Sequence, residues 1–300
     1  MANFQLYKKR DFNSLISDTL EFFKVFWKNY FINYSILIGG MLLLMGVLEY
    51  FLLKSGNMTN LYGLQSSGSI GFSLAVLALI MLVFTVFGIF TIAFPMVYLR
   101  LINQSDLSSF SASEVFEGIK QRAARIFIFG LMGIFTLGIL TFIVAVICSL
   151  LSIILIGIPL FVIALSTMLV WSMQSMYIFV EEDAAFFDSL KFGWQNTFKN
   201  FWGVVGSAII IFICMMVIYS AFTVIPMLAS MGSLLSSGHT MPTDMPPAMI
   251  ILSVVGLIIT YLLYNVLYIH QGLVYYSSVE EEEHLQALSD IDSIGTNNEE

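Results

Sequence analysis

Charge is the first thing this sequence lacks. Asp, Glu, Lys and Arg make up only 11% of its 300 residues, under half the share of about 25% found in soluble globular chains. So little charge cannot coat a water-facing surface, and a soluble globular protein is excluded. A basic excess is missing too. The formal charge of −8 belongs to residues 279–300, which hold eight acids and no lysine or arginine, while the rest of the chain balances 12 acids against 12 bases. No nucleic-acid partner is expected, because no cationic surplus exists to neutralise phosphates. Cysteine is scarce. Cys148 and Cys214 both sit in apolar runs and read as small buried hydrophobes rather than a disulfide or a CxxC site. The first 30 residues lack a signal-peptide apolar stretch and cleavage site, so no removable leader is expected. Glycine-rich phosphate loops, HExxH, GxSxG and paired intramembrane carboxylates are also missing from the sequence. No catalytic residue, cofactor or metal ligand is therefore assigned, and a non-enzymatic protein is expected.

What is present is grease. Hydrophobic residues make up 58% of the chain, and residues 126–180 run without a single charge. Apolar stretches longer than about 18 residues read as transmembrane helices, and this one is long enough for two with a tight turn. Six spans are predicted, at 31–53, 71–98, 126–149, 159–180, 203–228 and 249–275. Their spacing suits helices rather than short barrel strands. The expected fold is an all-α membrane domain over 1–278 followed by an acidic tail, 279–300. Bases set the orientation. The N-terminal segment, the 98–126 connection and the 180–203 connection carry eleven of them, and the other connections carry only Lys54. Both termini are thus expected in the cytoplasm.

Three stretches precede spans with helical amphipathic spacing. At about 100° per residue, Phe187, Leu190, Trp194, Phe198 and Phe201 form one stripe, opposite Asp188, Gln195, Asn196 and Lys199. Residues 12–30 place Phe12, Leu15, Ile16, Thr19, Phe23, Phe26 and Tyr30 together, with Ser14, Asp18, Glu21 and Lys28 opposite. Residues 113–127 repeat the pattern behind a capping-box sequence, Ser111 to Glu114. Each is expected to lie along the cytoplasmic interface, with Trp27, Lys28, Trp194, Lys199 and Trp202 as interfacial anchors. The chain then reads as three units of one such helix plus a hairpin, near 8–100, 111–180 and 184–278. Either true internal repetition or the common habit of placing amphipathic helices before spans accounts for it.

These residues also carry a resemblance. "FQLYKKRDFNSLISDTLEFFKVFWKNYF" at 4–31 and "VYYSSVEEEEHLQALSDIDSIG" at 274–295 resemble the ends of an uncharacterised group of bacterial six-span membrane proteins. "EDAAFFDSLKFGWQNTFKNFWGVVG" at 182–206 is similar to the membrane domain fused to some glycerophosphodiester phosphodiesterases and to related domains of unknown function. The resemblance implies a bacterial inner-membrane protein. The soluble barrel that hydrolyses phosphodiesters is not part of it, so no activity and no site residue carries over.

Ionisable groups inside spans are costly and draw attention. Glu49, near the end of the first span, reads as a proton or cation site or as a carboxylate reaching the interface; its shallow position favours the second. His270, in "YIHQGLVYY", reads as a substrate or proton group or as a hydrogen-bonding tie to another helix, and the tie is favoured. Met231, His239, Met241, Asp244, Met245 and Met249 in the proline-rich 231–249 loop include donors that suit Cu(I), but a solvated loop is the stronger reading. Gly39, Gly40, Gly130, Gly133, Gly203 and Gly206 are expected to let helices approach.

Three function classes remain. The favoured one is a module organising membrane lipids, or a protein partner reached through the tail, where Leu285, Leu288 and Ile291 recur at helical spacing. The second is a small-solute transporter or channel, and the weakest is a lipid-modifying enzyme. Homo-oligomerisation is left open.

Overall fold

The computed structural model describes residues 4–54, 70–104, 109–154, 156–237 and 247–296. Among these residues all regular structure is helical. The elements are α1 (Phe12–Leu37), α2 (Gly39–Lys54), α3 (Ile70–Gln104), α4 (Ala112–Gly133), a π-helical turn (Ile134–Gly138), α5 (Ile139–Leu151), a 3₁₀ turn (Ser152–Ile154), α6 (Gly157–Glu181), α7 (Phe186–Lys199), α8 (Phe201–Ser237) and α9 (Pro247–Thr296). Five helices are long and apolar enough to cross a membrane, or six if the bent pair α1 and α2 counts as one span. The chain is a multi-pass all-α membrane protein.

The helix boundaries depart from the sequence expectation in instructive ways. No break separates an interfacial helix from a first span near residue 30. Instead α1 runs through to Leu37, and the chain bends by 60° between α1 and α2. Gly39 and Gly40 follow the bend at once, and glycine is, after proline, the residue least favourable to helix. The second expected interfacial helix is likewise one continuous run with its span, from Ala112 to Leu151. No proline stands near residue 127, and the π turn absorbs the irregularity within the helix. Its start follows the sequence. Ser111 Oγ accepts from Glu114 N at 3.3 Å, and Glu114 Oε2 accepts from Ser111 N at 2.7 Å. The third, α7, is a separate helix. It ends at Asn200, which has non-helical backbone (φ −135°, ψ 62°) and whose Oδ1 accepts from Gly203 N at 3.3 Å, capping the start of α8. At the other end of the chain α9 continues without interruption from its apolar part into the acidic residues, through the 278/279 boundary expected from composition.

Packing divides the chain into two compact units. Unit 1 comprises Met1–Tyr30, Ala93–Ile211 and Val266–Glu300. One part of its core is aliphatic, with Leu15, Val170, Val204, Val205, Ala208 and Val274 packed together. Another part is aromatic: Phe22, Tyr30, Phe94 and Tyr98 meet largely edge to face, with centroids 4.9–6.2 Å apart, the arrangement favoured by ring quadrupoles. Asn29 serves this cluster. Its Nδ2 donates to Phe110 O at 3.0 Å, and its Oδ1 accepts from Tyr98 Oη at 2.8 Å and from Phe110 N at 3.1 Å. Unit 2 comprises Phe31–Ile92 and Phe212–Asn265; there Phe87 packs edge to face on Tyr261 at 4.7 Å.

The glycines used for close approach differ in part from those expected: a Cβ at Gly206 would lie 3.3 Å from the Phe12 ring of α1, as expected, but other expected positions are open. A Cβ at Gly40, Gly130 or Gly133 would meet nothing within 4 Å. At Gly193 it would lie 2.7 Å from Ser175 N and 2.9 Å from Ser175 Cα. At Gly157 it would strike the backbone of Cys148, Leu151 and Ser152, so the tight turn between α5 and α6 requires glycine.

Candidate functional site

The candidate site is the α6–α7 region of unit 1, where α7 lies against α6. Phe186, Ser189, Gly193 and Thr197 are the buried residues of α7, whereas the aromatic stripe points outward. Phe187 is 70% exposed, and Trp194 and Phe198 are exposed as well. Ser189, Gly193 and Thr197 bring the helix close to its neighbour, while these three rings lie toward the outside. Hydrophobic periodicity in the sequence marks the rings but not the docking face. The signal for that face was the spacing of Ser189, Gly193 and Thr197, small residues every fourth position, which is how helices approach closely in lipid.

The rings form a continuous ladder. Trp171 of α6 meets Trp194 edge to face at 5.0 Å, Trp194 stacks on Phe198 at 4.1 Å, and Phe198 stacks on Phe201 at 5.3 Å. Trp171 Nε1 donates to Leu190 O at 2.8 Å, which fixes the first ring. Beside the ladder runs an open groove of about 560 Å³ walled by Leu140, Met168, Trp171, Leu190 and Trp194, with Lys191 and Gln195 also lining it. The groove is greasy with one cation at hand. Trp27 and Lys28 on α1 are exposed as well, as is Lys199, whose ammonium lies 3.5 Å from Glu281 Oε2.

Arg122, which is buried, and the half-exposed Arg100 and Arg125 are paired within the protein. Arg122 Nε donates to Glu181 Oε1 at 3.0 Å, and Arg100 Nη1 donates to Glu181 Oε2 at 3.2 Å. Arg125 donates from Nε to Phe179 O at 2.9 Å and from Nη2 to Ala184 O at 3.1 Å, and pairs with Asp183 at 3.0 Å. Together these side chains close the C-terminal end of α6, where unpaired carbonyls and the negative end of the helix dipole gather. Asp183 adopts the left-handed conformation (φ 55°) that stops the helix. Asp18, expected on a solvated face, is instead buried against Arg10, with Nε to Oδ2 at 2.8 Å. Burial pushes the Arg10 guanidinium below its ordinary value, and Asp18 pulls it back.

His270 is fully buried in the same unit. His270 Nδ1 lies 3.2 Å from Thr19 Oγ1 and Nε2 lies 3.1 Å from Ser207 Oγ, and both hydroxyls also reach backbone carbonyls, Leu15 O at 2.6 Å and Val204 O at 3.0 Å. The imidazole ties α1, α8 and α9 together. Next to it Gln174 Nε2 donates to the backbone and side-chain oxygens of Gln271 at 3.0 and 3.2 Å. Glu49 belongs to unit 2. The 238–246 part of the methionine-rich loop, with His239, Met241, Asp244 and Met245, lies outside the described residues.

Comparison with protein-family models, curated proteins and solved structures finds no match for the chain.

Proposed function

We propose that the chain is a non-enzymatic module of a bacterial inner membrane that holds anionic phospholipid along α7. The single observation carrying this reading is the apolar groove beside the ring ladder, lined also by Lys191. Acyl chains fit its walls, tryptophans favour the headgroup layer, and an ammonium there attracts an anionic headgroup by about 1 kcal/mol. Both termini then lie in the cytoplasm, by the eleven-to-one distribution of bases. The likeness to the membrane domain of glycerophosphodiester phosphodiesterases belongs to the same proposal, as does a protein partner for the acidic tail. Native mass spectrometry of the detergent-extracted chain tests it. Wild type is expected to retain anionic phospholipid, and Trp194→Ala with Lys191→Ala to lose it. Equal retention of zwitterionic lipid, or unchanged retention by the double variant, overturns it.

A second reading, a small-solute transporter, is favoured by a carboxylate-bearing cavity in unit 2. Proteoliposomes would then show solute flux that Glu49→Gln abolishes; no flux across a broad panel of solutes removes this reading.

A further inference from the structure

Unit 2 contains a cavity of about 290 Å³, near the lower end of the usual range for small-ligand pockets. Glu49 of α2 enters its lining, together with Tyr219 of α8 and Ser253, Thr260, Tyr261 and Tyr264 of α9. Ser253, Thr260 and Tyr264 fall on one face of α9, seven and four residues apart. Tyr261 is fixed from behind by Phe87 and contacts Tyr264 edge to face at 6.0 Å. Thr260 Oγ1 donates to Gly256 O at 2.8 Å, which turns its proton toward the backbone.

Glu49 is the anomaly of this cavity. Its Oε2 is buried and has no hydrogen-bond partner. An ionised carboxylate with one oxygen buried and unpaired is penalised unless a partner is supplied. A cation in the cavity would supply the missing partner. The lining also says which kind. A hard divalent ion wants six or more oxygens, several of them carboxylates, and among the described residues no group of three His, Cys, Asp or Glu side chains gathers anywhere. Tyrosine rings instead attract weakly hydrated organic cations, as aromatic cages do for alkylated ammonium groups.

We propose that this cavity binds a small organic monocation of the alkylated ammonium class, with Glu49 as its counter-ion and the rings of Tyr219, Tyr261 and Tyr264 around its alkyl groups. The site does not depend on the lipid reading, since the α7 groove belongs to unit 1.

The test is binding of labelled tetramethylammonium to the full chain, purified in a detergent without an ammonium headgroup. Saturable binding is expected, displaced by excess choline and not by equal sodium chloride. Glu49→Gln should weaken it about tenfold or more, as expected for loss of a charged partner. Tyr264→Leu should weaken it about fivefold, and Tyr264→Phe should leave it nearly unchanged, because the ring persists. Absence of saturable binding, equal displacement by sodium, or unchanged binding in Glu49→Gln overturns the proposal. Should Glu49→Gln fail to fold, the Tyr264 pair decides: equal binding by the Leu and Phe variants sinks it.

Discussion

Glu181→Ala is expected to lower the unfolding free energy by about 3–5 kcal/mol, the usual loss when one partner of a buried ion pair is removed. Arg122 carries most of the effect. Its side chain and that of Glu181 are each only 10% exposed, at 3.0 Å, so the substitution strands a buried guanidinium. Arg100 is 36% exposed, and its pair with Glu181 is screened and worth little. The direction is informative, because a glutamate at a helix C-terminus is by itself unfavourable to the dipole. A variant stabilised by the change would mean that the dipole outweighs the pair. The measurement is the denaturant midpoint of the detergent-solubilised protein, repeated for Arg122→Leu and for the double variant. Coupling near zero in that cycle would refute the assignment.

Gly193→Ala is expected to prise α7 from α6. The added carbon would sit 2.7 Å from Ser175 N and 2.9 Å from Ser175 Cα, and backbone cannot swing aside as a flexible side chain would. Overpacking of this kind costs about 1–3 kcal/mol, sometimes more. Since the Trp171–Trp194 contact spans the two helices, tryptophan fluorescence should report the separation directly. Gly130→Ala is the matched control. Nothing lies within 4 Å of a Cβ there, so removing a helical glycine should be neutral or stabilise by up to about 1 kcal/mol. Equal behaviour of the two variants would refute the docking face.

The apolar runs, the Ser111 cap and a separate helix at α7 were legible because each depends on neighbours in sequence. Length, periodicity and a three-residue spacing are local quantities. What stayed hidden is pairing at distance. Arg122 and Glu181 are 59 residues apart, and counting bases per connection does not reveal that the arginines are already engaged. The docking face of α7 was hidden for another reason. Hydrophobic periodicity gives greatest weight to the largest rings, but between helices in lipid the contact is made by what is smallest. The same bias made Gly130 and Gly133 look like contact points, when the glycines that matter are those facing a neighbour's backbone. Glu49 stands out in the sequence as an isolated charge, but its tyrosine surroundings come from α8 and α9, some 170 to 215 positions further along.

The π turn at Ile134–Gly138 has a rotational consequence. A turn of this kind holds one residue more than α-helix would, and each residue advances the screw by about 100°. It therefore resets the phase of α5 relative to α4, deciding which azimuth of α5 carries Leu140 to the groove wall and Cys148 inward. A chain one residue shorter at that turn would still form a helix, but Leu140 and Cys148 would face elsewhere.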